Sequence, residues 1–125
     1  MIFAPALTLA LQAATIQWGA LPLLPYRTPP VVTAEMHAFV AHEVAARRCP
    51  LPDANGGAAT LTVDVAVRVA EDGTIRAAIP RAIQCPTVEQ YSAALVTAFA
   101  RNNLLPRLGA QDQWYRTAVT FNWTP

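Results

Sequence analysis

The sequence contains no lysine, and charge of either sign is scarce. Only 14% of its 125 residues are charged, all nine basic residues are arginine, and the formal net charge is +1. The sequence pI is about 7.8, whereas domains that bind nucleic acid usually carry a basic stripe and a pI above ~9. The composition therefore gives no electrostatic reason to expect a nucleic acid or an acidic polymer as partner.

Side chains that carry catalysis are equally few. Ser92 is the only serine, and it falls among alanines inside a predicted helix. The two histidines, His37 and His42, are five residues apart, which matches no common metal-binding pattern, and we expect both on a solvated helix face. No glycine-rich loop precedes a helix, so a phosphate site is unsupported. We therefore predict that the protein is not an enzyme and holds no cofactor or metal.

Charged side chains are absent altogether from Met1 to Tyr26. Residues 3–14 form a compact apolar stretch that is typical of the core of a secretory signal, although no basic residue follows Met1 and the cleavage site is imperfect. A membrane anchor reaching Leu24 is one alternative, but its prolines and glutamines make a poor spanning helix. An apolar arm of a cytosolic protein is another. We expect residues 1–24 to be a signal peptide or an N-terminal hydrophobic segment of an exported protein.

Prolines mark the segment that follows. Residues 25–32 include Pro25, Pro29 and Pro30, and because proline fixes φ and lacks an amide donor, we predict an extended lead-in there. The folded domain is then predicted over residues 33–125 and opens with a helix over 33–48. Thr33 can cap this helix, and its apolar face comprises Met36, Phe39, Val40 and Val44.

Strict alternation predicts two strands joined by a hairpin. In residues 60–69 the inner positions are Leu61, Val63, Val65, Val67 and Val69. The Asp72-Gly73 pair predicts a tight turn, and the return strand carries Ile75, Ala77 and Ile79 on one face. Pro80 cannot donate to a ladder, so this strand should be an edge or carry a bulge. Asp64 and Arg68 fall on the outer face, where cross-strand pairing or solvent contact is expected.

A second helix and a last strand complete the predicted fold. Thr87 and Gln90 are spaced as a capping box, and the helix apolar face comprises Val88, Tyr91, Leu95, Ala98 and Phe99. Alternation over residues 116–123 predicts the strand. The fold class is therefore α+β, with a three-stranded antiparallel sheet (a hairpin plus the C-terminal strand) covered by two helices. The last strand is expected beside the first, with its other side open.

The two cysteines fit this arrangement. Cys49 closes the first helix, near the start of the first strand, and Cys85 follows the return strand, which the hairpin brings back beside the same point. We therefore predict a disulfide between them, worth about 3–4 kcal/mol in the chain-entropy model. Two independent buried thiols are the alternative.

Residues 58–123 resemble the C-terminal domain of TonB, the energy-transducing protein of Gram-negative envelopes. The resemblance is carried by an alternating strand that closes on Glu71-Asp72-Gly73, by a helix ending in Asn103-Leu104-Leu105-Pro106, and by the final strand from Thr117 to Trp123. The residues before the proline depart from the family's aromatic and basic pattern, and the cysteines are not part of it. The resemblance implies a TonB C-terminal-like fold in the periplasm, with or without an inner-membrane tether.

In that family a partner's extended peptide binds as an added strand beside the last strand of the domain. The resemblance therefore implies a binding edge made of Thr117, Ala118, Val119, Thr120, Phe121, Asn122 and Trp123. Trp114 and Tyr115, in the preceding loop, are candidate aromatic anchors. We expect a protein or peptide partner in the cell envelope. The alternative is a structural or homodimeric envelope protein without energy-transducing activity, in which the same edge pairs with a second copy.

Overall fold

A computed structural model of the chain describes residues 15–51, 57–107, 109 and 111–124. The predicted signal core (residues 3–14) and most of the loop after Leu51 lie outside the described residues. The elements are α1 (Ala34–Arg47), β1 (Ala59–Val69), β2 (Ile75–Pro80), α2 (Pro86–Ala100) and β3 (Gln113–Trp123), preceded by a short 3-10 turn at Trp18–Ala20. The predicted order of helix, strand, strand, helix and strand is confirmed.

The three strands form one antiparallel sheet in the order β2-β1-β3. Strand β1 pairs with β3 along its whole length, from Ala59 opposite Trp123 to Val69 opposite Gln113. It pairs with β2 only from Val65 to Val69. The α+β class, the three-stranded sheet and the position of the last strand beside the first are thus confirmed, and β2 and β3 are its two edges.

The core lies between one face of this sheet and the two helices. Alternation puts every second side chain of β1 on that face, and these side chains are all buried. The helices contribute Val40 and Val44 from α1 and Val88 and Val96 from α2, and β3 contributes Phe121. The disulfide between Cys49 and Cys85 lies at one end of this core, where Cys85 is buried.

The prediction that Ile75, Ala77 and Ile79 share one face of β2 is wrong. A register irregularity between Arg68 and Val69 sets Ile75 opposite Val69, on the helix-covered face, whereas Ile79 lies opposite Ala66 on the other face. An extra residue in one strand turns the following side chains to the opposite face. Ile75 therefore faces the helices, whereas Ala77 and Ile79 face the other side of the sheet.

The predicted capping box of the second helix is also wrong. Helix α2 begins at Pro86, one residue before Thr87, and its N-cap Cys85 makes no side-chain cap. Proline suits a first helical position because that position needs no amide donor. The Glu89 carboxylate instead accepts from the amides of Ile83 and Cys85, at 3.0 Å each.

The buried face of α2 is rotated from the expected one. Its buried residues are Val88, Ser92, Ala93, Val96 and Ala100. Ala98, expected in the core, is exposed. The Ser92 hydroxyl donates to the Val88 carbonyl at 2.8 Å, which satisfies the one buried polar side chain among the described residues.

Residues 25–32 are extended, as expected from their prolines. Residues 21–24, the end of the predicted N-terminal hydrophobic segment, pack against the sheet just before them, and residues 21–32 are together called the lead-in below. Leu24 is 6% exposed and belongs to the core. Leu23 forms a parallel bridge with Arg116 of β3, and Tyr26 forms an antiparallel bridge with Leu104 after α2. Burial raises the pKa of the Tyr26 phenol above its usual range. The packed part of the chain therefore extends to the N-terminal side of Thr33.

Asn103 fastens the lead-in to the end of α2. Its side-chain amide accepts from the Thr28 N–H (2.9 Å) and donates to the Thr28 carbonyl (2.8 Å) and the Phe99 carbonyl (3.1 Å). We expect Asn103→Ala to lower the free energy of unfolding by about 1–3 kcal/mol, because it leaves these main-chain groups without their partner. Urea unfolding measures the loss. Arg101→Ala is the control for stability, because this exposed side chain makes no hydrogen bond within the described ranges and its backbone φ of −63° suits alanine. An equal loss in both variants would contradict the role of Asn103.

Candidate functional site

The outer side of β3, away from β1, is the edge of the sheet that the sequence predicts to bind a partner. In an antiparallel pair, alternate residues direct their main-chain N–H and C=O groups toward or away from the neighbouring strand. The groups of Arg116 point away from β1, since they bond to the lead-in. The alternation therefore also turns the groups of Ala118, Thr120 and Asn122 outward. These residues form the outer margin of the sheet.

The lead-in occupies one end of this margin. The Arg116 N–H donates to the Pro22 carbonyl at 2.8 Å, and the Arg116 carbonyl accepts from the Leu24 N–H at 2.9 Å. The Arg116 guanidinium adds a bond from Nε to the Leu21 carbonyl at 3.0 Å. The start of β3 is thus covered by the chain's own backbone, which corrects the expectation that the whole outer side of the last strand is open.

His37 occupies the other end. The Asn122 N–H donates to Nδ1 of this histidine at 3.0 Å, and the imidazole lies edge-on to the Phe121 ring with the centroids 6.3 Å apart. Helix α1 positions His37 because the helix packs along β3. The expectation of a freely solvated histidine is wrong, since this side chain caps a strand amide.

Between these two ends the margin is open. The amides and carbonyls of Ala118 and Thr120, and the carbonyl of Asn122, have no hydrogen-bond partner in the part of the chain that the structure describes. We call these groups the open edge. From Ala118 to Asn122 it spans about 13 Å at the usual strand rise. Ala118, Thr120 and Asn122 are all exposed, so a second backbone can reach their main chain.

The side chains along the open edge are short and uncharged. On the face away from the helices, the Thr120 hydroxyl lies 3.0 Å from the Thr62 hydroxyl of β1. Short side chains leave the neighbouring backbone groups accessible, and charged or inward-turned side chains are the devices that usually block an edge. The chemistry of the site is therefore main-chain hydrogen bonding with little selection by charge.

The remaining residues of the predicted binding edge do not contribute main-chain groups to the open edge. Val119 and Phe121 are buried and point into the core. Trp123 is half-buried and packs against the core. Thr117 is half-buried, and its main-chain groups face β1 by the same alternation. Only every second residue of the expected set can therefore offer its backbone to a partner.

The candidate aromatic anchors do not lie in a loop, because β3 already begins at Gln113. Tyr115 is 6% exposed and belongs to the core, and its hydroxyl accepts from Arg107 at 3.2 Å. Trp114 is half-buried opposite Arg68, on the other face of the sheet. Since the two side chains point to opposite faces, they do not form one anchoring cluster.

Asp64 and Arg68 do not pair with each other. Arg68 binds both carboxylate oxygens of Asp112, at 2.7 and 3.0 Å, and this contact lowers the pKa of Asp112 below its usual range. Asp64 lies 3.4 Å from the guanidinium of Arg81. Both pairs are substantially exposed, so each contributes little stability, and neither resembles an acid–base pair aimed at a cavity.

The predicted disulfide is confirmed. Cys49 and Cys85 are joined at an S–S distance of 2.04 Å with their Cα atoms 5.4 Å apart. No three metal-ligating side chains come together among the described residues. No helix within the described ranges is both long and apolar enough to cross a membrane.

Comparisons with protein-family models, with curated proteins and with solved structures found no match for the chain. The likeness to the TonB C-terminal domain therefore stays an interpretation of the sequence.

Proposed function

We propose that this protein is a binding module of TonB C-terminal type that captures an extended peptide of an envelope protein by strand addition along β3. The observation that carries the proposal is the open edge, where Ala118 and Thr120 present unpaired donors and acceptors at a spacing of two residues. A strand placed there can satisfy these groups, which is how β-augmentation gains affinity. The short side chains around them leave room for it.

The two occupied ends define the register of such a partner. The Leu23 bridge lies at Arg116, and the His37 imidazole lies at the Asn122 amide. An added strand therefore fits between them, with main-chain bonds to Ala118, Thr120 and the Asn122 carbonyl. A longer strand has to displace the lead-in or the imidazole. The proposed partner segment is accordingly short, about three to five residues at the usual strand rise.

A second copy of the chain is the alternative partner. In the antiparallel register that sets Ala118 opposite Thr120 of a second copy, the open groups complement themselves with four main-chain bonds. A structural or homodimeric protein without energy-transducing activity would use the edge in this way. Light scattering across a concentration series distinguishes the two functions, since a tight dimer favours the homodimer and a monomer favours the foreign strand.

Proline scanning of the edge tests the proposal. Ala118→Pro removes an outward amide without removing a bond between β1 and β3, and proline is tolerated where the strand N–H faces solvent. We expect this variant to stay folded and to lose at least about tenfold in partner affinity. The measurement uses a photo-crosslinking residue at Thr120, an envelope extract, and mass spectrometry of the captured peptides.

Val119→Pro is the matched control. Its amide faces β1 by the same alternation, so proline there removes a hydrogen bond of the ladder and should lower the free energy of unfolding by at least about 1 kcal/mol. If Ala118→Pro captured the same peptides at the same yield as the parent protein, strand addition at β3 would be excluded.

A further inference from the structure

Strand β1 carries a second set of unpaired main-chain groups, on the side away from β3. Ala66 and Arg68 face β2, and the Asp64 carbonyl accepts from the Arg81 N–H at 2.8 Å. Beyond that bond β2 has ended, although β1 continues to Ala59. The alternation directs the groups of Thr60 and Thr62 to this side, and within residues 15–51, 57–107, 109 and 111–124 they have no hydrogen-bond partner there.

The chain after β2 is held away from β1 by its own bonds. The Glu89 carboxylate accepts hydrogen bonds from the amides of Ile83 and Cys85. Gln84 between them has a left-handed backbone with φ of 61°, and the disulfide ties Cys85 to Cys49. Residues 82–84 therefore form a fixed wall and do not extend β2 along β1.

A groove of about 470 Å³ lies between this wall and β1. The lining residues are Pro50, Leu51, Thr60, Leu61, Thr62, Ala82, Ile83 and Gln84. None of these side chains carries a charge, so the groove offers no counter-ion to an acidic or a basic ligand. Its volume is within the range of ligand-binding clefts, about 300–1,000 Å³.

We propose that this groove, referred to as the β1 groove, is a second strand-docking site that takes an uncharged, extended peptide segment of another protein. Thr60 and Thr62 are two residues apart, which places their donors and acceptors about 6.8 Å apart, the repeat of an extended chain. A peptide backbone matches that repeat at both residues. Its alternate side chains then contact the apolar walls formed by Leu51 and Ile83.

The β1 groove is independent of the open edge on β3. Thr60 and Thr62 use the opposite side of β1 from the side that binds β3, so one site can fail while the other binds. Two docking sites on opposite sides of one β1–β3 pair would let the domain hold two extended segments at once.

The test uses the blocked peptide acetyl-Val-Thr-Val-Thr-Val-amide and amide NMR of the full chain. With the peptide at ~1 mM, we expect the Thr60 and Thr62 amides to shift and to exchange more slowly. Ala82→Trp fills the groove from an exposed position and should weaken binding at least about tenfold. Thr60→Pro removes one donor and should do the same. Ala98→Trp, on the exposed side of α2, should bind as the parent does.

The readouts separate this site from the other one. Shifts confined to the Ala118 and Thr120 amides would report binding at β3 alone and would overturn the β1 groove. Equal binding by the Ala82→Trp variant and the parent would overturn it as well. If indole shifted the Thr60 and Thr62 amides while the peptide did not, the groove would be a small-molecule pocket and the proposal would be wrong.

Discussion

Replacing Cys49 and Cys85 together by alanine should lower the free energy of unfolding by about 3–4 kcal/mol in the chain-entropy model. The bridge closes a loop with a sequence separation of 36, which contains β1, the hairpin and β2. Without it, the unfolded chain regains the freedom of this loop. The end of α1 also loses its covalent link to the start of α2. Thermal unfolding should show a fall in Tm of more than about 10 °C.

The parent protein under reducing conditions is the matched comparison for the double variant. Reduction should lower its Tm toward that of the double alanine variant, and the variant itself should not respond to the reductant. A change of less than about 1 kcal/mol on reduction would show that packing alone holds the two helix ends together.

Phe121→Ala should destabilise the protein by about 3–5 kcal/mol. This ring is fully buried and is the largest fully buried side chain among the described residues. It lies opposite Leu61 on β1, and its centroid is 6.2 Å from the Tyr91 ring of α2. Removal therefore leaves a cavity where the sheet meets both helices. Urea unfolding at equilibrium measures the loss.

Thr120→Ala is the control for this effect, since it lies on the same strand one residue away. Its side chain is exposed and loses only the hydroxyl contact with Thr62, so the expected cost is below about 1 kcal/mol. Equal losses at the two positions would contradict the alternation of buried and exposed residues along β3.

The sheet could be predicted from sequence because its signals are local and agree with each other. Five apolar residues at period two set the inner face of β1, and Asp72-Gly73 set the turn to β2. The disulfide followed from topology, since a hairpin returns the chain to its starting end. These features need no knowledge of how distant segments pack. They identified the sheet order, the pairing of the cysteines and the strand that carries the open edge.

The limits of the open edge could not be predicted in the same way. The bridge between Leu23 and Arg116 joins segments far apart in sequence, and proline-rich composition predicts extended backbone without naming its partner strand. The bond from the Asn122 amide to His37 has no sequence signature, because a helical histidine that accepts a strand amide has the same sequence pattern as one exposed to solvent. The extra residue of β2 between Ile75 and Ala77 also has no sequence signal, and it turns Ile79 to the face away from the helices. Tertiary contacts decide all three.

The occupied ends suggest how the protein manages an exposed sheet edge. Long unpaired edges promote edge-to-edge aggregation. Here the lead-in covers Arg116 and His37 caps Asn122, which reduces the unpaired stretch to the groups around Ala118 and Thr120. A short open edge still accepts a peptide, and it offers few bonds to an unrelated sheet.

Amide hydrogen exchange along β3, followed residue by residue by NMR in the native protein, tests whether the main-chain groups of Ala118 and Thr120 are open. We expect the Ala118 and Thr120 amides to exchange much faster than the Val119 and Phe121 amides, which bond to β1. The amides of Arg116 and Asn122, held by Pro22 and His37, should show intermediate protection. Equal protection of the Ala118, Val119, Thr120 and Phe121 amides would mean that another part of the molecule already pairs with this strand, and the open edge would not exist.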